Sequence, residues 1–60
     1  MTHHILVVDD ESTLRHFLRL HLQEQDYQVT EAADGKSAIS LIGKNSFDVA
    51  LVDLRLTDMD

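Results

Sequence analysis

Ile5-Leu6-Val7-Val8-Asp9-Asp10-Glu11 decides the fold of this 60-residue chain. Four consecutive apolar residues, three of them β-branched, suit a strand buried on both faces, the usual condition of a strand in a parallel sheet. We place that strand at residues 4–8. Asp9-Asp10-Glu11-Ser12 ends the run abruptly and carries the chemistry of a helix N-cap. Over residues 13–25 the apolar period lengthens. Leu14, Leu18 and Leu22 recur every fourth position with Phe17 beside them, while Arg15, Arg19 and Gln23 fall on another face, so the segment predicts an amphipathic helix. Leu14, Phe17, Leu18 and Leu22 are expected in the core, Arg15 and Arg19 in solvent, and Tyr27 at the corner that follows. Residues 28–32 alternate weakly, with Val29 among Gln28, Thr30 and Glu31, which predicts a half-exposed strand. Asp34-Gly35 reads as a turn that also caps the next helix. That helix spans residues 36–43, with Ala38, Ile39, Leu41 and Ile42 as its apolar stripe and Gly43 as its expected stop. Val49-Ala50-Leu51-Val52 is a second wholly apolar run, inside a strand over residues 48–53 that ends at Asp53.

The order βαβαβ implies an α/β fold whose parallel strands are joined by helical crossovers. The polar strand belongs at an edge and the two apolar ones beside each other. With right-handed crossovers the spatial order is then 2-1-3 and the helices lie on opposite faces. This is one half of a flavodoxin-like doubly wound sheet, occupying residues 1–60 as a single unit. The chain direction reverses between the first and third strands, and ligands bind open α/β sheets at the C-terminal strand ends of such a point. Asp9, Asp10 and Asp53 all fall there. The third strand is apolar on both faces yet has no neighbour on its far side. An unblunted edge of this kind invites pairing. A larger sheet, or homo-oligomerisation through the third strand, would cover it.

Composition removes several classes of function. With no Cys there is no disulfide framework and no thiolate metal site. The longest apolar runs are far too short for a membrane helix, and no basic segment precedes an apolar one as in a secretory signal. Eleven acidic against five basic residues, a net charge of −6, argue against nucleic-acid binding by this segment, because phosphate neutralisation needs clustered Lys and Arg. His3 and His4 enter the first strand at the end opposite the acidic residues and are expected to be exposed polar residues. His16 and His21, five apart, do not share a helix face as paired ligands would. No Gly-rich phosphate loop and no Ser-centred nucleophile elbow occurs.

Three carboxylates converging on strand ends repel one another unless a cation joins them. Their hard oxygen donors suit Mg²⁺, which takes one or two carboxylates and keeps several waters. A carboxylate beside Mg²⁺ can also attack a phosphoryl group to give an aspartyl phosphate. A bare Mg²⁺ or Ca²⁺ site without phosphoryl chemistry, and a self-associating half-domain scaffold, remain as the alternatives. Asp-Asp after a strand is equally at home as a plain turn and cap.

Val7-Val8-Asp9-Asp10-Glu11, the Asp34-Gly35 turn, and Phe47-Asp48-Val-Ala-Leu-Val-Asp53-Leu-Arg-Leu-Thr-Asp-Met-Asp60 together resemble the receiver domain of bacterial two-component response regulators, the CheY-like family. The resemblance runs from the first strand to the loop after the third, the N-terminal half of such a domain. It implies that Asp53 is the phospho-acceptor in a protein that is not itself an enzyme. It implies that Asp10 and Asp53 ligate Mg²⁺ directly, with the backbone carbonyl of Arg55 as a further ligand and Asp9 acting through a metal-bound water. The implied partner is a phosphohistidine on a sensor histidine kinase or phosphotransfer protein, docking near Leu14 and Arg15, and the implied location is the cytoplasm. The family's hydroxyl residue, switch aromatic and Lys on later strands have no counterpart here. Lys36 and Lys44 are remote from the acidic pocket, and Thr57 stands where many relatives have Pro. Acting alone, the segment is therefore expected to be incomplete and inactive.

Overall fold

The computed structural model describes residues 2–53 and contains β1 (His4–Asp9), α1 (Ser12–Glu24), β2 (Gln28–Ala32), α2 (Gly35–Lys44) and β3 (Val49–Asp53). The three strands form one sheet in the order β2-β1-β3, with both pairings parallel. Order and direction agree with the expectation, and the element boundaries shift by one residue at most ends.

Alternation along β1 divides the interior. Leu6 and Val8 point to the face that α2 covers, where they form a buried cluster with Ala32 and Ala38, flanked by Leu41 and Phe47. Ile5, Val7 and Asp9, one position out of phase, point to the other face and are buried as well. Ile5 shares a cleft of about 460 Å³ with Leu22 of α1 and with Val49 and Leu51 of β3, so α1 lies on this second face. The two helices thus cover opposite sides. Among the described residues, β1 is the only strand buried along nearly its whole length.

Coverage is uneven, and here the structure departs from expectation. No residue of α1 is fully buried: Leu18 and Leu22 are half-buried, Leu14 is exposed, and Phe17 is 64% exposed. Neither helix packs on β3, every residue of which is exposed. A 3.6-residue apolar period shows which side of a helix is apolar, but not whether another element is there to meet it.

Each helix end has an identifiable device. Glu11 caps α1, its carboxylate accepting from the N–H of Leu14 at 2.6 Å and of Thr13 at 3.4 Å. At the far end Tyr27 N–H donates to the Leu22 carbonyl at 3.2 Å and Asp26 N–H to the Gln23 carbonyl at 3.0 Å, which is a Schellman closure. Asp26 is left-handed there, at φ 68°. Glycine occupies that conformation without Cβ strain, which costs an L-residue about 1–2 kcal/mol, whereas glycine's extra chain entropy costs about 0.5–1 kcal/mol. Asp26→Gly is expected to stabilise the fold by about 0.5–1 kcal/mol in urea unfolding. An unchanged midpoint would mean that Asp26 gains a compensating contact. At the end of α2 the expected stop at Gly43 is corrected. The helix continues through it to Lys44, because Asn45 closes it with both its backbone N–H and its side-chain amide on the Leu41 carbonyl, at 2.9 and 3.1 Å.

Asp34 caps α2 as expected, its Oδ1 accepting from Ser37 N–H at 2.7 Å. That hydrogen bond, then the Ser37 side chain, and to a smaller extent the charge of Lys36, hold the carboxyl below its ordinary value of 3.8. A lowered folded-state value means that the cap's contribution is present above the ordinary carboxylate range and lost as the pH falls through the lowered value. Asp34→Asn keeps an N-cap acceptor without the titration. Its melting temperature is therefore expected to fall less steeply than the wild type's on acidification, and parallel acid limbs would remove the charge from the account.

Candidate functional site

Parallel pairing in register sets Val8 beside Val52 and Asp9 beside Asp53, at the same end of adjacent strands. Neighbouring strands lie about 4.8 Å apart, so the backbone brings together two aspartates remote in sequence, with Asp10 one residue beyond. This is the reversal point of the sheet, since α1 leaves β1 toward β2 on one side and β3 lies on the other. Arg55 and Thr57 lie outside the described residues.

The three carboxylates occupy different environments. Asp9 ends β1 facing α1 and is 1% exposed, whereas Asp10 and Asp53 are exposed. Asp9 Oδ1 accepts from Glu11 N–H at 2.9 Å, and Asp9 Oδ2 is buried with no hydrogen-bond partner. A buried carboxylate oxygen left without a donor is costly. Plain turn-and-cap duty does not explain it, because Glu11, not either aspartate, caps α1. Such an atom fits a site for a cation or its hydration water, and the donors around it are the hard oxygens that Mg²⁺ selects. Among the described residues no three His, Cys, Asp or Glu side chains converge as a ready-made cage. Mg²⁺ does not require one, since it keeps several waters and uses one or two carboxylates.

Arg15 and Arg19, expected in solvent, are engaged at the rim of this site. Arg15 Nε donates to Glu31 Oε1 at 2.9 Å, and its terminal NH1 donates to the main-chain carbonyl of Asp9 at 2.8 Å. Arg19 Nε lies 3.0 Å from Glu31 Oε2, at ion-pair distance, and its NH2 lies 2.9 Å from His16 Nδ1. Glu31, half-buried on β2, thus receives both cations. Sequence reading missed Glu31. Its signal is a lone acid on the α1-facing side of a strand, opposite two arginines one helical turn apart. Leu14 stands beside Arg15 with an exposed side chain.

The two N-terminal histidines lie elsewhere. His3 is exposed, with Nδ1 3.6 Å from Asp48 Oδ2, as expected of a surface residue. His4 is not exposed as expected. It is half-buried, its Nε2 2.7 Å from Thr30 Oγ1 and its ring 4.4 Å from that of Phe47. Both mark the N-terminal end of the sheet, away from the carboxylates. Among the described residues no helix is long and apolar enough to cross a membrane.

Comparison with known proteins bears directly on this geometry. The family model of the response regulator receiver domain matches residues 5–60. The transcriptional regulatory protein SrrA of Staphylococcus aureus is 37% identical over 60 residues, in strains NCTC 8325 / PS 47, COL and MRSA252 alike. The match covers 100% of this chain and 25% of those proteins, so the chain spans about a quarter of the length of the curated relatives it matches. No solved structure matches it.

Proposed function

The chain belongs to the response regulator receiver domain family, and from that premise we propose that Asp53 accepts a phosphoryl group from a phosphohistidine of a sensor histidine kinase or phosphotransfer protein, in the cytoplasm. The observation that carries the reading is the register pairing of Asp9 with Asp53 at the reversal point of a 2-1-3 parallel sheet, together with the orphaned Oδ2 of Asp9.

The division of labour follows from exposure and position. Exposure sets Asp10 and Asp53 apart from buried Asp9 as carboxylates an incoming donor can reach. The position of Asp53 at the end of β3, the acceptor position of the family, assigns it the attack. One of its oxygens attacks phosphorus, the bond from phosphorus to the imidazole nitrogen breaks, and the electron pair leaves with that nitrogen. Asp9, Asp10, Asp53 and the main-chain carbonyl of Arg55 would hold Mg²⁺, which when bound offsets negative charge on the phosphoryl oxygens. The partner docks at the start of α1, where Leu14 presents apolar surface, while the Arg15 side chain next to it is turned back onto Glu31 and the Asp9 carbonyl and supports that surface from beneath. Completion of the pocket beyond β3 belongs to further strands, and the greater length of the relatives favours strands of the same polypeptide over homo-oligomerisation through the β3 edge. Incubation of the full-length protein with a small acyl phosphate and Mg²⁺ tests the reading. Covalent, hydroxylamine-sensitive phosphate that requires Mg²⁺ is expected, and incorporation that ignores Mg²⁺ would overturn it.

A further inference from the structure

We propose that Arg15 is a positioning residue for the acidic pocket. Its guanidinium, anchored on Glu31, holds the peptide that joins Asp9 to Asp10. The inference rests on the reading of the pocket as a Mg²⁺ site, but its basis is separate. A peptide unit is planar, so a bond to the Asp9 carbonyl fixes the orientation of the Asp10 N–H and the position of the Asp10 Cα. The Asp9 carbonyl receives that bond from Arg15 NH1 at 2.8 Å. The same guanidinium is held on its other side by Glu31 Oε1 at 2.9 Å. The Arg15 side chain is only 17% exposed and Glu31 24%, so the pair is partly shielded from solvent. Within α1, Arg15 N–H closes the first turn on the Glu11 carbonyl at 3.0 Å, and Glu11 N–H in turn holds Asp9 Oδ1 at 2.9 Å. Side chain and main chain of Asp9 are thus both fixed from the start of α1, with β2 as the outer anchor. A planar fork can serve a carboxylate and a carbonyl at once, whereas the single ammonium of lysine lacks that geometry.

Arg19 supplies the control. It lies against the same Glu31 carboxylate at 3.0 Å, with no bond to the Asp9 carbonyl. If Arg15 served only to neutralise Glu31, substitution of either arginine would have the same consequences. The experiment compares Arg15→Gln, Arg15→Lys and Arg19→Gln in the full-length protein by two readouts. One is the Mg²⁺ dissociation constant from calorimetry with the metal alone, and the other is amide hydrogen exchange at Asp10 in metal-free protein. Loss of a partner that orients a metal ligand typically weakens affinity about 10–100-fold. We expect about a tenfold rise in the dissociation constant and faster Asp10 exchange for both Arg15 variants, with neither change in Arg19→Gln. Equal effects in the Arg15 and Arg19 variants, or an Asp10 exchange rate unmoved by Arg15→Gln, would overturn the proposal. If the wild type binds no Mg²⁺, the reading of the pocket fails, while the metal-free exchange still decides the role of Arg15.

Discussion

Asp53→Asn is expected to abolish phosphate incorporation from either a phosphohistidine donor or a small acyl phosphate. The amide is nearly isosteric but has no anionic oxygen to attack phosphorus, and loss of a nucleophile costs an active site at least about a thousandfold in rate. Asp53→Glu separates charge from position. It keeps the carboxylate but carries it one methylene farther from the strand end, and a displacement of about 1 Å can cost about a hundredfold. The expected order is therefore wild type, then Glu, then Asn. The fold should tolerate both changes, because Asp53 ends an exposed strand against which neither helix packs. Equal labelling of the wild type and Asp53→Asn, read as acid-stable and acid-labile phosphate by mass spectrometry, would move the acceptor elsewhere. Asp10, also exposed at the same strand ends, would be the next residue to test.

Most of the framework could be read from local sequence because local terms decide it. A strand apolar at every position, such as residues 5–8, has to be covered on both sides, and that requirement placed β1 in the middle. Parallel crossover handedness then gave the order β2-β1-β3. The Asp34 cap was equally legible, since an N-cap bond spans three residues. What escaped depended on partners distant along the chain. Arg15 and Arg19 look like a solvated helix face until Glu31 of β2 is set opposite them. Phe17 and the β3 residues show the converse. Their apolar pattern demands burial, but burial needs a second surface, and no described element supplies one. The carboxylate site falls between these cases. Sequence placed Asp9, Asp10 and Asp53 at one end of the sheet, but the burial of Asp9 and the exposure of the other two follow from where α1 packs.

That difference in burial sets function against stability, and Asp9→Asn should expose the conflict. In the wild type without metal, Asp9 keeps a carboxylate at 1% exposure with one oxygen bonded to Glu11 N–H and the other unpartnered. Asn retains an oxygen for the Glu11 N–H and removes the buried charge, although its NH₂ inherits a site without an acceptor. The net gain is then a fraction of the cost of an unsatisfied buried group, which is itself about 1–3 kcal/mol. Mg²⁺ reverses the ranking. A ligand that binds only the folded state stabilises it by about 2.7 kcal/mol at a hundred times its dissociation constant, and the variant has lost one of the charges that hold the metal. Melting temperatures measured against Mg²⁺ concentration should therefore cross, with Asp9→Asn higher in chelator and the wild type higher at saturating metal. Asp9→Ala separates the contributions, because it discards the charge together with the acceptor for Glu11 N–H and should stabilise the metal-free fold less than Asn. Curves that stay parallel across the titration would mean that Asp9 takes no part in holding the cation, and the unpartnered oxygen would need another explanation.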